Sequence, residues 1–487
     1  MARRFHIRTF GCQMNEHDSE RLAGLLESDG MEATDDVEQA DVVVLNTCCI
    51  RENADNKLYG HLGHLASLKV RKPGLKIVVG GCLAQKDKGE VQKRARYVDV
   101  VLGTHNVGRV VQLVHQADQD GPVMEIVDQE AAMDEPFAVP TRRRLPYSAW
   151  VTIQTGCNNS CSFCIVPQVR GAEVSRPFGE LLGEVESLAA KGVSEITLLG
   201  QNVNSYGRDI ATSLRAGPVD YPSAVWMAGE HWVGQAKARA RPLFADLLRA
   251  VGLVAGIERV RFTSPHPKDL RPETIAAMAE TKEVCEHLHL PLQSGSDRVL
   301  SAMRRGYTAE RYMQRLAHAR RDIPDLAVTT DLIVGFPGES EDDFRRTLEV
   351  VAEAEYDSTY TFIFSPRPGT TAATMVDELI PAPVVAERFE RLKVVVERSA
   401  LVRHRARLGR LEEVLVEGPS KRDPEITTGR TRQSKLVHFA VPDHATLRPG
   451  SNVTVRVTSA APHHLGGEIV GRVELPLYRD RIPVSSA

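Results

Sequence analysis

Gly156-Cys157-Asn158-Asn159-Ser160-Cys161-Ser162-Phe163-Cys164 sets three thiols within eight residues of turn chemistry, after an extended, apolar-alternating run from Tyr147 to Gln154. Thiols so close in sequence can converge on one metal centre. A structural zinc site takes four protein ligands, and no fourth Cys or His lies near, so a closed zinc knuckle is disfavoured. An iron-sulfur cube accepts three thiolates and leaves one iron open to a reactant. A thioredoxin-like pair, Cys161-x-x-Cys164, leaves the third thiol without a role.

Beyond Tyr147 the pattern alternates strand and helix. Six strands are predicted: Tyr147 to Gln154, Glu195 to Leu199, Arg259 to Phe262, His287 to Leu290, Ala327 to Val334 and Thr359 to Phe364. Helical stretches such as Glu180 to Lys191, Phe244 to Val254 and Tyr312 to Arg321 separate them. Repeated βα units curl a parallel sheet toward a barrel, which six units close about three quarters of the way, and ligands bind at the C-terminal strand ends. The loops there are polar: Gly200-Gln201-Asn202-Val203-Asn204, Thr263-Ser264-Pro265-His266-Pro267, Pro291-Leu292-Gln293-Ser294-Gly295-Ser296 and Asp331 to Glu339. Cys285, His287 and His289 alternate on one strand and read as satisfied core groups. The stretch from Gly207 to Pro242, with Trp226 and Trp232, reads as a long inserted loop.

Cys157-x-x-x-Cys161-x-Phe163-Cys164 resembles the signature of the radical S-adenosylmethionine (SAM) enzymes, whose partial (βα)6 barrel agrees with the strand count. The resemblance implies a 4Fe-4S cluster on Cys157, Cys161 and Cys164 with SAM at its open iron. It further implies cofactor contacts at Phe163, at Gly200, Gln201 and Asn202 for the SAM amino group, at Gln293, and at the Val334-Gly335 backbone for the adenine.

The first hundred residues read as a doubly wound parallel sheet. Strands Phe5 to Phe10, Asp41 to Leu45 and Lys76 to Val79 are followed by Gly11-Cys12, Asn46-Thr47-Cys48-Cys49 and Gly80-Gly81-Cys82, with helices predicted over Ser19 to Ser28 and about Glu52 to Leu68. Parallel strands end on one edge, so Cys12, Cys48 and Cys82 can meet although 36 and 34 residues separate them. Cys49, beside Cys48, reads as packing, its side chain directed away from its neighbour's. Thr9 to Asn15, Leu45 to Glu52 (including Ile50 and Arg51) and Gly80 to Gln85 resemble the N-terminal cluster-binding domain of the methylthiotransferases. That family has Ser where Cys49 stands. A second 4Fe-4S cluster, on Cys12, Cys48 and Cys82, is what the resemblance implies.

Residues 120 to 145, with Pro136, Pro140 and Arg142-Arg143-Arg144, read as a linker. A basic helix is expected from Ala386 to Leu408. Short strands follow at Glu412 to Val416, Leu436 to Phe439 and Asn452 to Val457, as in a small β-barrel. This part resembles the TRAM module of RNA-modifying enzymes, with Lys421, Arg422, Arg430, Arg432 and Lys435 as a phosphate-binding surface. The expected domains are 1–120, 143–386 with its insertion at about 207–242, and 387–473.

The 487 residues are 42% apolar and 26% charged, with a formal net charge of -3, so any nucleic-acid partner is held by local patches. No apolar run is long enough to span a membrane, and the N-terminus carries no signal-peptide core, so a cytoplasmic protein is expected; a monomer is the expected state. Eight cysteines in a reducing compartment read as ligands or packing. The resemblance implies addition of a methylthio group to C2 of N6-isopentenyladenosine next to the anticodon of a tRNA. SAM is then both methyl donor and radical source, the second cluster is the sulfur source, and an electron-donor protein and a sulfur or cluster donor are partners. The alternatives are a sister methylthiotransferase, acting on threonylcarbamoyl-adenosine in tRNA or on a ribosomal-protein aspartate, and a non-catalytic zinc-containing RNA-binding protein.

Overall fold

The computed structural model describes residues 2–49, 52–127, 139–216, 219–234, 241–441 and 447–474; Ile50, Arg51 and Pro136 lie outside them. The chain forms two compact units. One comprises residues 1–144, 155–174 and 367–370, and the other residues 145–154, 175–366 and 371–487.

The first unit is built on a six-stranded parallel sheet in the order Glu32–Ala33, Arg4–Phe10, Val42–Thr47, Lys76–Gly81, Val100–Leu102, Val123–Glu125. Its strands alternate between two cores. Val43, Leu45, Ile77 and Val79 pack with Leu58, Leu62 and Leu65 of the helix Glu52–Arg71. Val42, Val44 and Val78 pack with Leu22 and Leu26 of the helix Gln13–Ser28 and with Leu113 of Val110–Gln119. Two apolar faces covered by helices are what a parallel sheet requires. The stretch read as a linker is ordered at both ends: Val123–Glu125 is the sheet's edge strand, and Arg142 N–H donates to the Glu20 carbonyl at 2.9 Å while its side chain pairs with Glu27 at 3.1 Å. The cysteine loop, residues 155–174, also packs in this unit, with Ile165 and Val169 in its core.

The second unit contains the six predicted barrel strands, all parallel. Arg259–Phe262, Glu195–Leu199 and Ser148–Thr152 form one sheet; His287–His289, Ala327–Val334 and Ser358–Ile363 form another; a Val260–Val284 bridge joins them. The insertion is not a loop. Its described residues form helices Arg208–Ala216, Tyr221–Ala228 and Glu230–Gly234, and Trp226 lies on Gly179 of the helix Phe178–Ala190.

The C-terminal strands close a five-stranded barrel in the order Leu411–Pro419, Ile426–Thr431, Leu436–Ala440, Leu465–Glu474, Asn452–Ala460 around Val414, Val437, Phe439 and Val455. The turn 431–435 covers the N-terminal strand ends of the larger barrel. Arg261 donates to the carbonyls of Arg432 and Thr431 at 2.9 and 3.0 Å, Arg432 pairs with Glu286 at 2.9 Å, and Lys435, 4% exposed, reaches Asp357 at 2.6 Å. Arg430 is held by Glu417 at 2.7 Å. Two of the five cations assigned to a phosphate surface, Arg432 and Lys435, are therefore internal fasteners; Arg430 is tied to Glu417 with its side chain 43% exposed, and Lys421 and Arg422 are exposed. The helix Ala382–Arg405 and the turn after it use their arginines similarly: Arg388 pairs with Glu339, and Arg407 with Glu412 and Asp325. No described helix is long and apolar enough to cross a membrane.

Two buried histidines of this unit, His266 and His404, and the half-buried His287 are held neutral. Burial pushes His266 down to about 2, His287 to about 3 and His404 to about 4. A folded-state pKa below the unfolded value of about 6.5 gives stability that is whole above that pH and is lost as pH falls, at about 1.4 kcal/mol per histidine per pH unit. The thermal midpoint should thus be lower at pH 5.5 than at pH 7.5, and His287→Phe should narrow that difference. An equal difference in the two proteins would remove His287 from the explanation.

Candidate metal centres and cofactor site

The register of the first sheet sets Phe10 beside Thr47 and Thr47 beside Gly81, so Cys12, Cys48 and Cys82 leave three neighbouring strands at one level. Beneath them runs a polar network that accounts for the local sequence words. Asn46 Nδ2 donates to the Asn15 carbonyl at 2.8 Å and to Ser19 Oγ at 2.9 Å, Asn15 Nδ2 donates to Asn46 Oδ1 at 3.2 Å, and Thr47 Oγ1 donates to the Gly80 carbonyl at 2.8 Å. Gly11 has φ +151°, and a Cβ there would run into Cys48 Cβ. Only glycine lets the first strand end approach the second so closely.

The four thiols of this edge lie in two contacts. Cys48 donates to Cys12, and this bond, aided by the charge of Arg170 against the upward push of burial, holds Cys12 down to about 6. Cys49 donates to Cys82, which the same opposition of effects places at about 7. Cys49 is 1% exposed within the apolar core. Its side chain lies against Cys82 within the cysteine edge, not apart from it. Asp18 and Arg170 were not singled out from the sequence; Arg170 lies 152 residues from its partner, and no local pattern announces the pairing.

In the second set, Gly156 has φ +74°, and a Cβ would collide with the Ala172 carbonyl. This glycine lets the loop fold back on itself, with Cys157 N–H donating to the Gly171 carbonyl at 3.1 Å and Cys164 N–H to the Cys161 carbonyl at 3.1 Å. Cys157 is buried, which raises its thiol pKa, while Cys161, Phe163 and Cys164 are partly open. Each set offers three thiols on turns with close backbone approach, a donor set that fits a cube. Among the described residues, no three His, Cys, Asp or Glu surround a point as ligands of a single ion. A four-iron cube asks each thiolate only to reach its own corner.

At the C-terminal strand ends of the larger barrel, Gly200, Gln201 and Asn202 gather with Gln154, whose Nε2 donates to the Asn202 carbonyl at 2.8 Å. Gln154 Oε1, both side-chain polar atoms of Gln201 and Asn202 Oδ1 are buried without a partner among the described residues. Unpaired buried polar atoms cost free energy unless a ligand or water meets them. Gln293, on the neighbouring part of the rim, holds a positive φ of 71°. The Val334 carbonyl accepts from Phe364 N–H at 2.9 Å, and Gly335 N–H donates to Glu339 Oε2 at 3.0 Å, so these two groups are already engaged. His287 and His289 share the Thr329 hydroxyl at 3.2 and 2.9 Å.

Residues 4–103 match Uncharacterized protein family UPF0004, residues 151–351 the Radical SAM superfamily and residues 405–470 the TRAM domain. A protein of Mycobacterium sp. (strain JLS), named tRNA-2-methylthio-N(6)-dimethylallyladenosine synthase, is 50% identical over 480 residues, covering 96% of this chain and 89% of its own. A Streptomyces viridosporus protein of the same name is 51% identical over 475 residues, covering 96% and 87%. Among solved structures, the radical SAM methyltransferase TsrM of Kitasatospora setae aligns with a TM-score of 0.52 at 15% identity over 77% of each chain, a likeness of fold.

Proposed function

Since the chain belongs to the tRNA-2-methylthio-N(6)-dimethylallyladenosine synthase family, we propose that it is a methylthiotransferase placing sulfur and a methyl group on C2 of N6-isopentenyladenosine next to the anticodon of tRNA. It uses two 4Fe-4S clusters and SAM. Cys157, Cys161 and Cys164 hold the SAM-binding cluster, and Cys12, Cys48 and Cys82 hold the second. The convergence of three thiols from three neighbouring strand ends carries this reading, because SAM cleavage alone asks only for the set Cys157, Cys161 and Cys164.

The chemistry fits the parts. An aromatic C–H at C2 is neither acidic nor displaceable, so no positioned acid or base removes it at neutral pH. When bound, the clusters and SAM supply the radical, the sulfur and the methyl group. The chain supplies placement. Gln201 and Asn202, with unspent polar atoms, and Gly200, Gln293 and Phe163 contact SAM in this reading, and Val334 and Gly335 line the adenine by their backbone, with their engaged carbonyl and N–H unavailable to it. Cys48 rather than Cys49 is the ligand in this reading, since it directly follows the Asn46-Thr47 strand end and meets Cys12 across it. Exposed Lys421 and Arg422 grip phosphate. An electron-donor protein and a sulfur or cluster donor serve the enzyme, which works as a cytoplasmic monomer.

The test is nucleoside mass analysis. tRNA carrying N6-isopentenyladenosine but no methylthio group, incubated anaerobically with reconstituted protein, SAM and a reductant, should gain the 2-methylthio derivative. Conversion of threonylcarbamoyl-adenosine instead would assign the chain to a sister activity.

A further inference from the structure

Arg170 connects the two cysteine sets. It ends the short helix Val166–Arg170 that follows Cys164, and it is 5% exposed. Its Nη2 donates to Asp18 Oδ2 at 2.7 Å, and its guanidinium also donates to the Cys82 sulfur, with Cys12 within electrostatic reach. The flanking residues are fixed as well. The Val169 carbonyl accepts from Thr104 Oγ1 at 2.6 Å, and the Gly171 carbonyl accepts from Cys157 N–H at 3.1 Å. Two consecutive residues, Arg170 and Gly171, thus touch a thiol of one cysteine set and the backbone of the other.

Burying a guanidinium is costly unless its charge and donors are met. Asp18 meets part of this, and the Cys82 sulfur accepts from the guanidinium as well. A cluster gains negative charge on reduction, and its potential is set by net charge and by hydrogen bonds to its sulfurs. A buried cation at this point favours the reduced form.

We propose that Arg170 is a positioning residue that acts as the counter-charge of the N-terminal cluster, holding the sulfur group on Cys12, Cys48 and Cys82 and raising its reduction potential. The proposal rests on the assignment of those three cysteines as cluster ligands. Asp18 fixes the guanidinium and partly offsets its charge. Gly171 ties the same segment to Cys157, so the loop that carries one cluster sets the electrostatics of the other.

The test is a redox titration of full-length reconstituted protein followed by electron paramagnetic resonance, with iron loss to a chelator as a second readout. The N-terminal signal is identified in protein carrying Cys157, Cys161 and Cys164 all replaced by Ala. Arg170→Met should shift that midpoint to more negative values and speed iron loss severalfold. Arg170→Lys should restore most of the wild-type value, and Asp18→Asn should shift the midpoint the opposite way. The other cluster's midpoint should stay in place. Should Arg170→Met fail to fold, Arg170→Met with Asp18→Asn leaves no unpaired charge and should still show the negative shift, reduced, with faster iron loss. Wild-type midpoint and iron-loss rate in either Arg170→Met protein, at full iron content, would overturn the proposal while leaving the ligands intact. Absence of any cluster from the Cys157, Cys161 and Cys164 replacement would overturn the ligand assignment and the proposal with it.

Discussion

Cys161→Ala should abolish SAM cleavage, whereas Cys48→Ala should leave cleavage measurable and stop sulfur insertion. In the proposed assignment the two thiols serve different metal groups, and the open iron that meets SAM belongs only to the set containing Cys161. Cleavage without product is the expected signature of Cys48→Ala, read as 5′-deoxyadenosine formed without methylthiolated nucleoside. Cys49→Ala is the control. Its thiol lies 1% exposed in the apolar core against Cys82, so the change should cost stability and spare most of the product. Product from Cys48→Ala and none from Cys49→Ala would move the ligand by one residue.

Lys435→Met should destabilise the second unit toward the lower end of about 3–5 kcal/mol, because it leaves the buried Asp357 carboxylate with only Arg403, at 3.7 Å, as counter-charge. Lys435→Met with Asp357→Leu should recover only part of that loss, since it removes the under-compensated carboxylate but takes the acceptor from the buried Val328 N–H and the partner from Arg403. Removing everything from Glu412 onward takes the carboxylate partner of Arg259 and the arginine partner of Glu286 and some of the partners of Arg261, Asp325 and Asp357 at once. Such a truncation should lose the larger barrel as well as tRNA binding, and so cannot isolate the RNA-binding role. Lys421→Ala with Arg422→Ala can. tRNA binding should weaken, with the log-log salt slope shallower by roughly 0.7 to 0.9 for each phosphate no longer neutralised, and with the thermal midpoint unchanged. An unaltered slope would exclude these two cations from the RNA surface.

Much of this architecture was legible because it rests on local signals. The cysteine loop, the strand-end words around Cys12, Cys48 and Cys82, and the apolar barrel strands each declare themselves within about ten residues, and the observed strands of the larger barrel agree with the predicted ones to within about two residues. Ile426–Thr431 and Leu465–Glu474 were missed because their polar and glycine-rich sequences lack the alternation that marks a half-buried strand. The insertion was read as loop because its glycine and polar residues punctuate helices of only five to nine residues. The basic residues of the C-terminal module misled for another reason. Composition shows charge, whereas only the fold shows that Arg432 and Lys435 find carboxylates 146 and 78 residues away. Arg170 escaped notice for the same reason.

Iron, acid-labile sulfide and zinc measured together in anaerobically reconstituted protein bear most directly on the claim of two independent clusters in one chain. Wild type should carry iron and sulfide in equal amounts, and replacing Cys12, Cys48 and Cys82 by Ala should remove about half of each, as should replacing Cys157, Cys161 and Cys164. Zinc without sulfide in the wild type, or loss of all iron on removing either set alone, would contradict it.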